Sequence, residues 1–218
     1  GCVSEELIVD VHQALRQGGS RSTVTALDIR RRRLASTGGR RLGRSIGRMR
    51  IGVVVMPTDG WSETVALVQR LEGLGFHHLW VYDHLTWQRY RDRPWHATYP
   101  WLAGVAAATE RIRIGTMVSN LNIRHPAVLA KDVMTLDHIS GGRFTLGLGA
   151  GGTGFDATAL GQPELTAVQR AARLAEGAEV LDGLLRGTLT NHTGEHFVVN
   201  EARMLPGCVQ QPRVPFAI

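Results

Sequence analysis

The sequence predicts an α/β chain of successive strand–helix units, the N-terminal part of a parallel (β/α)₈ barrel that stops after about the fifth strand. Three observations carry this. Short apolar runs begin at residues 51, 78, 112 and 144, spaced by 27, 34 and 32 residues, with helical stretches between them. Buried strands that alternate with helices at this period build a parallel sheet. The turn after the first run, Pro57-Thr58-Asp59-Gly60-Trp61, lacks the Gly-x-Gly-x-x-Gly of a dinucleotide-binding sheet. The glycine cluster follows the fourth run instead, which favours a closed barrel over an open doubly wound sheet.

Residues 51–56 form a continuous apolar run closed by Pro57, as expected of a strand covered on both faces. Thr58 or Asp59 can cap a helix over residues 61–74, which Gly75 ends. Residues 78–81 read as the second strand, 100–109 as a helix and 112–118 as the third strand. Pro126 opens a helix over 127–139 that Gly141 and Gly142 stop. Residues 144–149 are the fourth strand, and 168–185 a long amphipathic helix ended by Gly187. Residues 189–192 and 196–200 flank Thr193-Gly194-Glu195, a hairpin signal. A fifth apolar stretch starts at Val214.

The texture changes near residue 49. Residues 1–50 hold eleven arginines against four carboxylates, a net of +7, so the remaining residues sum to −1 within a total of +6. Residues 1–48 therefore read as a basic extension and residues 49–218 as the barrel domain. Leu7, Val11 and Leu15 suggest a short amphipathic helix over 1–17. Residues 18–48, rich in Gly, Ser and Arg, are expected to be disordered, because they bury too little apolar surface to offset their ordering entropy. The alternative to an extension is translated sequence upstream of a true start at Met49, since a strand begins directly afterwards. The basic charge lies outside the folded pattern, which argues against nucleic acid as a partner. No run approaches the roughly 18 apolar residues of a membrane span. The N-terminus shows no secretory pattern, and a cytoplasmic location is expected. Cys2 and Cys208 lie far apart without metal-ligand spacing, so neither a disulfide framework nor a metal site is expected.

Barrel active sites form where the strands' C-terminal ends meet. The second strand runs into Asp83-His84, a carboxylate beside an imidazole that can hold a cofactor or move a proton. The alternative has Asp83 capping the next segment and His84 bonding it. The third strand ends in Met117, Val118, Ser119 and Asn120, an apolar ledge with an amide, or else ordinary turn residues. The fourth ends in Gly149-Ala150-Gly151-Gly152, where backbone N–H groups can approach a flat ligand, or a loop can simply flex.

Together these segments resemble the luciferase-like monooxygenase family of flavin-dependent oxidoreductases. The resemblance rests on Gly75-Phe76 with Leu79-Trp80-Val81 leading to Asp83-His84, on His125-Pro126-Ala127 with Ala130-Lys131, on Thr135-Leu136-Asp137-His138 with Ser140-Gly141-Gly142-Arg143-Phe144, and on Leu146-Gly147-x-Gly149 with Phe155-Asp156 and Gly161. It implies a barrel with an isoalloxazine-type ring across its C-terminal rim, either FMN or 8-hydroxy-5-deazaflavin (coenzyme F420), with NAD(P)H as a candidate electron donor. His84 is then the catalytic candidate, for proton transfer or charge stabilisation. Asp83, Met117, Val118, Asn120, Gly149, Ala150, Gly151 and Gly152 are the cofactor-binding candidates, with a non-proline cis peptide expected at Met117–Val118. The implied activity is oxidation or monooxygenation of a small organic substrate, by a homodimer in the full-length form. A catalytically incomplete flavin-binding fragment, or a subunit completed by a partner, is the alternative. Deazaflavin-dependent sugar dehydrogenases of the family place a glutamate where this chain has Gly152. Trp87 is offset by one residue from their active-site tryptophan.

Overall fold

The computed structural model describes residues 6–10, 50–87, 90–152 and 154–218. Its strands are β1 (Glu6–Asp10), β2 (Arg50–Val54), β3 (His78–Val81), β4 (Arg113–Thr116), β5 (Phe144–Gly147), β6 (Thr190–Thr193), β7 (Val198–Ala202) and β8 (Phe216–Ala217). Its helices are α1 (Trp61–Leu74), α2 (Thr98–Ala108), α3 (Pro126–Ser140), α4 (Phe155–Ala159) and α5 (Ala167–Leu185).

One six-stranded sheet runs in the order β1-β2-β3-β4-β5-β8, every pair parallel, and β6 and β7 form a separate antiparallel hairpin. From β2 to β8 the order follows the chain with no reversal point. A doubly wound sheet reverses at its ligand crevice, whereas a barrel adds each strand beside the last. The helices cover one face. Val53, Leu79, Val81, Ile114, Phe144 and Leu146 are all buried there against Leu102 and Val105 of α2, Leu129 and Val133 of α3, and Leu181 and Leu184 of α5. Each such aliphatic side chain contributes about 1.5–3 kcal/mol when fully buried.

The helix ends follow the expected chemistry at most points. Gly75 and Gly141 close α1 and α3 in the left-handed conformation, with φ of 86° and 60°. Thr166 and Gln169 form a reciprocal capping box on α5. The start of α1 differs from expectation. Its N-cap is Gly60, with no side-chain cap, so Asp59 and Thr58 lie one and two residues before the cap. The short helix α4 inside the glycine-rich stretch has no counterpart in the sequence reading.

The largest departure is β1. A helix was expected over residues 1–17, but Glu6–Asp10 pair in parallel with Arg50–Val54. The run Leu7-Ile8-Val9 meets the unpaired edge of β2, and the ladder satisfies backbone groups that a lone helix turn would leave to water. The rest of the basic extension, with its expected disorder over 18–48, lies outside the described residues. Among the described residues no helix is long and apolar enough to cross a membrane.

Candidate functional site

The parallel register of β3, β4 and β5 sends their C-terminal ends to one rim. Consecutive residues on an extended segment point to opposite sides, and this separates the Asp83-His84 pair. Asp83 turns into the layer under the helices and has no exposed surface. Its Oδ2 accepts from Nε of Arg124 at 3.2 Å and its Oδ1 from Nη2 at 3.0 Å. The Arg124 guanidinium lies over the Tyr99 ring, 4.8 Å from its centroid, and the Tyr99 hydroxyl meets Oγ of Ser119 at 2.8 Å. Burial and the Asp83 carboxylate push the Tyr99 phenol well above its ordinary range. For Arg124, burial opposes the charge, but the Asp83 bonds outweigh it and raise the group. Asp83 was expected to touch a cofactor; the structure places it behind the rim, in a buried brace between two loops and α2.

His84 finds another carboxylate. Its Nδ1 lies 2.7 Å from Oδ2 of Asp156, at the second position of α4. The other oxygen of Asp156 accepts from the backbone N–H of Leu85 at 2.8 Å and of Thr86 at 3.2 Å. Burial disfavours charge on Asp156, yet the His84 contact and the two backbone bonds outweigh it and hold the carboxyl below its ordinary value. The imidazole lies flat against Trp87, with centroids 5.6 Å apart and planes 2° from parallel, and Nε1 of Trp95 donates to the His84 carbonyl at 2.9 Å.

The third strand breaks at the rim. The Met117–Val118 peptide is cis, as the resemblance implied. Gly147 N donates to Oγ1 of Thr116 at 3.1 Å, which in turn donates to the Gly147 carbonyl at 3.0 Å. The β4–β5 pairing, last in register at Gly115–Thr145, resumes as a bridge between Ser119 and Leu148, four residues on in one strand and three in the other. The extra residue makes a bulge at Met117–Val118 on the β5 side, while Met117 N still donates to the Val81 carbonyl at 2.8 Å. A side chain on Gly149 would collide with Cγ2 of Val118, so this glycine makes room for the bulge itself.

Gly151, with φ of +77°, brings its backbone against the two asparagines; a Cβ there would sit 2.7 Å from Nδ2 of Asn122 and 3.1 Å from Cβ of Asn120. The Asn122 side chain donates to the Ala150 carbonyl at 2.8 Å, and its backbone N–H donates to Oδ1 of Asn120 at 3.1 Å. Asn120 is buried and serves this turn. Gly152 has open space where a side chain would stand. A cleft beside it is lined by Asn120, Asn122, Gly152, Asp156 and Arg170. The Nε of Arg170 is buried with no partner.

His84, the 117–118 bulge and Gly149–Gly152 therefore share one rim, linked by the Asp156, Val118 and Asn122 contacts. The sequence reading did not single out Asp156, Arg124 or Tyr99 as site residues; only the Phe155-Asp156 pair within the family pattern pointed toward the first. His77 and His78 stand at the entry end of β3. His78 stacks on Trp80 at 5.0 Å, and burial, reinforced by His77, Arg113 and Arg50, lowers its pKa to about 4. Among the described residues no cluster of three or more His, Cys, Asp or Glu could hold a metal.

Residues 43–218 match the family described as luciferase-like monooxygenase. The chain is 34% identical over 145 residues to an F420-dependent glucose-6-phosphate dehydrogenase of Beutenbergia cavernae, covering 66% of this chain and 42% of that protein. It is 34% identical over 149 residues to 4-hydroxyprotoasukamycin monooxygenase of Streptomyces nodosus subsp. asukaensis, covering 66% and 37%. The crystal structure of monooxygenase RslO1 from Streptomyces bottropensis superposes with a TM-score of 0.68 at 27% identity, covering 77% of this chain and 52% of that one. The chain thus spans about half the length, or less, of the proteins it matches.

Proposed function

The chain belongs to the luciferase-like monooxygenase family, and on that premise we propose that its rim binds a flavin-type ring, FMN or the deazaflavin F420, for two-electron oxidation or monooxygenation of a small organic substrate. The observation that carries this is the bulge at Met117–Val118: the ladder between β4 and β5 opens there and presents an apolar ledge to a rim that also holds His84 and open space at Gly152. The residues fit such a ring. A flat apolar heterocycle needs a ledge without a hydrogen-bonding edge, which Val118 supplies, and donors at its polar margin, which the backbone at Ala150–Gly152 can offer. When bound, the cofactor supplies the electron-pair chemistry. The chain's own part is to orient it, to exclude water and to hold a proton at His84. The relatives' names divide between F420 chemistry and oxygen chemistry and do not choose between the two. Gly152 stands where the sugar dehydrogenases carry a glutamate, which separates this chain from their substrate chemistry. An NAD(P)H donor finds no support in the relatives' names, and none is proposed.

Titration of the 218-residue chain with FMN and with F420, followed by fluorescence, tests the reading. Saturable binding of either one, weakened at least tenfold by Gly149→Ala, is expected. Binding of neither would remove the proposal. One observation favours a second reading, a flavin-binding half-barrel without turnover: among the described residues the sheet ends in unpaired edges at β1 and β8. Saturable binding with no reduction of F420, and with no oxygenated product from pre-reduced FMN and oxygen, across a substrate panel would select it.

A further inference from the structure

The shortest side-chain bond across the rim joins the loop after β3 to α4, His84 to Asp156, 72 residues apart. We infer that Asp156 is the positioning residue of the site: its carboxylate holds His84 as the Nδ1–H tautomer and leaves Nε2 as the bare nitrogen offered to a ligand. This rests on reading the rim as the flavin site, but its test does not require that reading to be right.

The argument starts from what a carboxylate can do. Held below its ordinary pKa by His84 and two backbone bonds that outweigh its burial, Asp156 is ionised at neutral pH and can only accept hydrogen bonds. At 2.7 Å from Oδ2, the His84 Nδ1 must therefore be the donor. A neutral imidazole that carries its proton on Nδ1 has a lone pair on Nε2. The carboxylate cannot rotate to release the ring, because Oδ1 is fixed by the N–H groups of Leu85 and Thr86. The ring cannot swing away easily either. Its face is stacked on Trp87, and its carbonyl receives Trp95. Trp87, offset from the position expected of an active-site tryptophan, thus serves as the backing plate of the histidine. Asp156 also ties the loop after β3 to α4, so one side chain sets both where His84 stands and which nitrogen is bare.

The same geometry dictates what Asp156→Asn does. The two backbone N–H groups keep an oxygen at the Oδ1 position, so the new amide NH₂ falls where Oδ2 was. It then donates to Nδ1, which must accept, and the proton moves to Nε2. The ring stays in place while its chemistry inverts: a proton acceptor toward the ligand becomes a donor. Asp156→Glu, which keeps the charge, retains the original tautomer.

The experiment is ring-nitrogen NMR on the histidine-labelled 218-residue chain without cofactor, with His84→Gln to assign the signals. Wild type is expected to show Nδ1–H with an unprotonated Nε2 at pH 8, Asp156→Asn the reverse, and Asp156→Glu the wild-type pattern. A wild-type spectrum with the proton on Nε2 overturns the inference, even if every variant fails to fold. So does an Asp156→Asn spectrum unchanged from wild type, since a purely structural carboxylate would leave the tautomer alone. FMN and F420 titrations on the same samples keep the two claims apart. If neither cofactor binds while the tautomer inverts, the flavin reading falls and the positioning role stands.

Discussion

Removing Arg124 tests the brace behind the rim. Arg124→Met leaves the Asp83 carboxylate with no exposed surface and without the two guanidinium bonds of 3.0 and 3.2 Å. An uncompensated buried charge of this kind costs about 3–5 kcal/mol. The converse variant, Asp83→Asn, is milder. Arg124 keeps 19% of its side-chain surface in water, has Asp132 at 3.9 Å and lies over the Tyr99 ring, so the loss is that of charged hydrogen bonds alone, about 1.5–3 kcal/mol. The double variant Asp83→Asn/Arg124→Met removes both charges, and its loss should fall short of the summed single losses by at least about 2 kcal/mol. Urea unfolding of the three variants measures this, and for a chain of this size Arg124→Met should lower Tm by about 6–20 °C. Additive losses in the double variant, or an Arg124→Met loss below about 1 kcal/mol, would refute the brace.

The remaining predictions concern other parts of the fold. His78, with its pKa lowered from 6.5 to about 4 chiefly by burial, must take up a proton on unfolding at mildly acidic pH. Its contribution is therefore whole above pH 6.5 and drains away between pH 6.5 and 4, by up to about 3 kcal/mol; a His78→Phe chain whose stability follows the same curve over that window would contradict this. Asp156 has the same sign at lower pH, its folded pKa lying below 3.8, so stability lost below pH 4 should shrink in Asp156→Asn. Gly149→Ala places a methyl against Val118 and should cost about 1–3 kcal/mol, measured by thermal unfolding. Adding Val118→Ala should recover most of it, and no recovery would mean the clash is elsewhere. Glu72→Ala removes one oxygen that accepts from the N–H groups of Glu110, Arg111 and Ile112 at 2.7–3.0 Å, and should cost about 1–3 kcal/mol in urea unfolding.

The elements that the sequence announced are those whose cause is local. The apolar runs at 51, 78 and 144 are short and bounded by Pro57, Gly75 and the Gly141-Gly142 pair, and the left-handed caps at Gly75 and Gly141 need only one residue type at one position. The element read wrongly, Glu6–Asp10, is one whose cause is tertiary: Leu7, Val11 and Leu15 keep a helical period, but the open edge of β2 offers a ladder that no local pattern records. The 117–118 bulge likewise depends on Gly147 and Gly149 across the ladder, and only the family pattern pointed to it.

The site shows a subtler limit. Asp83 and His84 were read either as a pair that holds a cofactor or moves a proton, or as a cap with His84 bonding Asp83; in the structure they part, Asp83 to Arg124 and His84 to Asp156. The carboxylate that His84 meets lies 72 residues on, in the Phe155-Asp156 pair that follows the glycines. The glycines themselves divide by what occupies the space of their missing side chains. At Gly149 it is Val118, at Gly151 it is Asn120 and Asn122, and only at Gly152 is it empty. A run of glycine at a barrel rim is thus partly packing for the neighbouring bulge. Gly152 alone of these three leaves that space open, beside the cleft that Asp156 and Arg170 help to line.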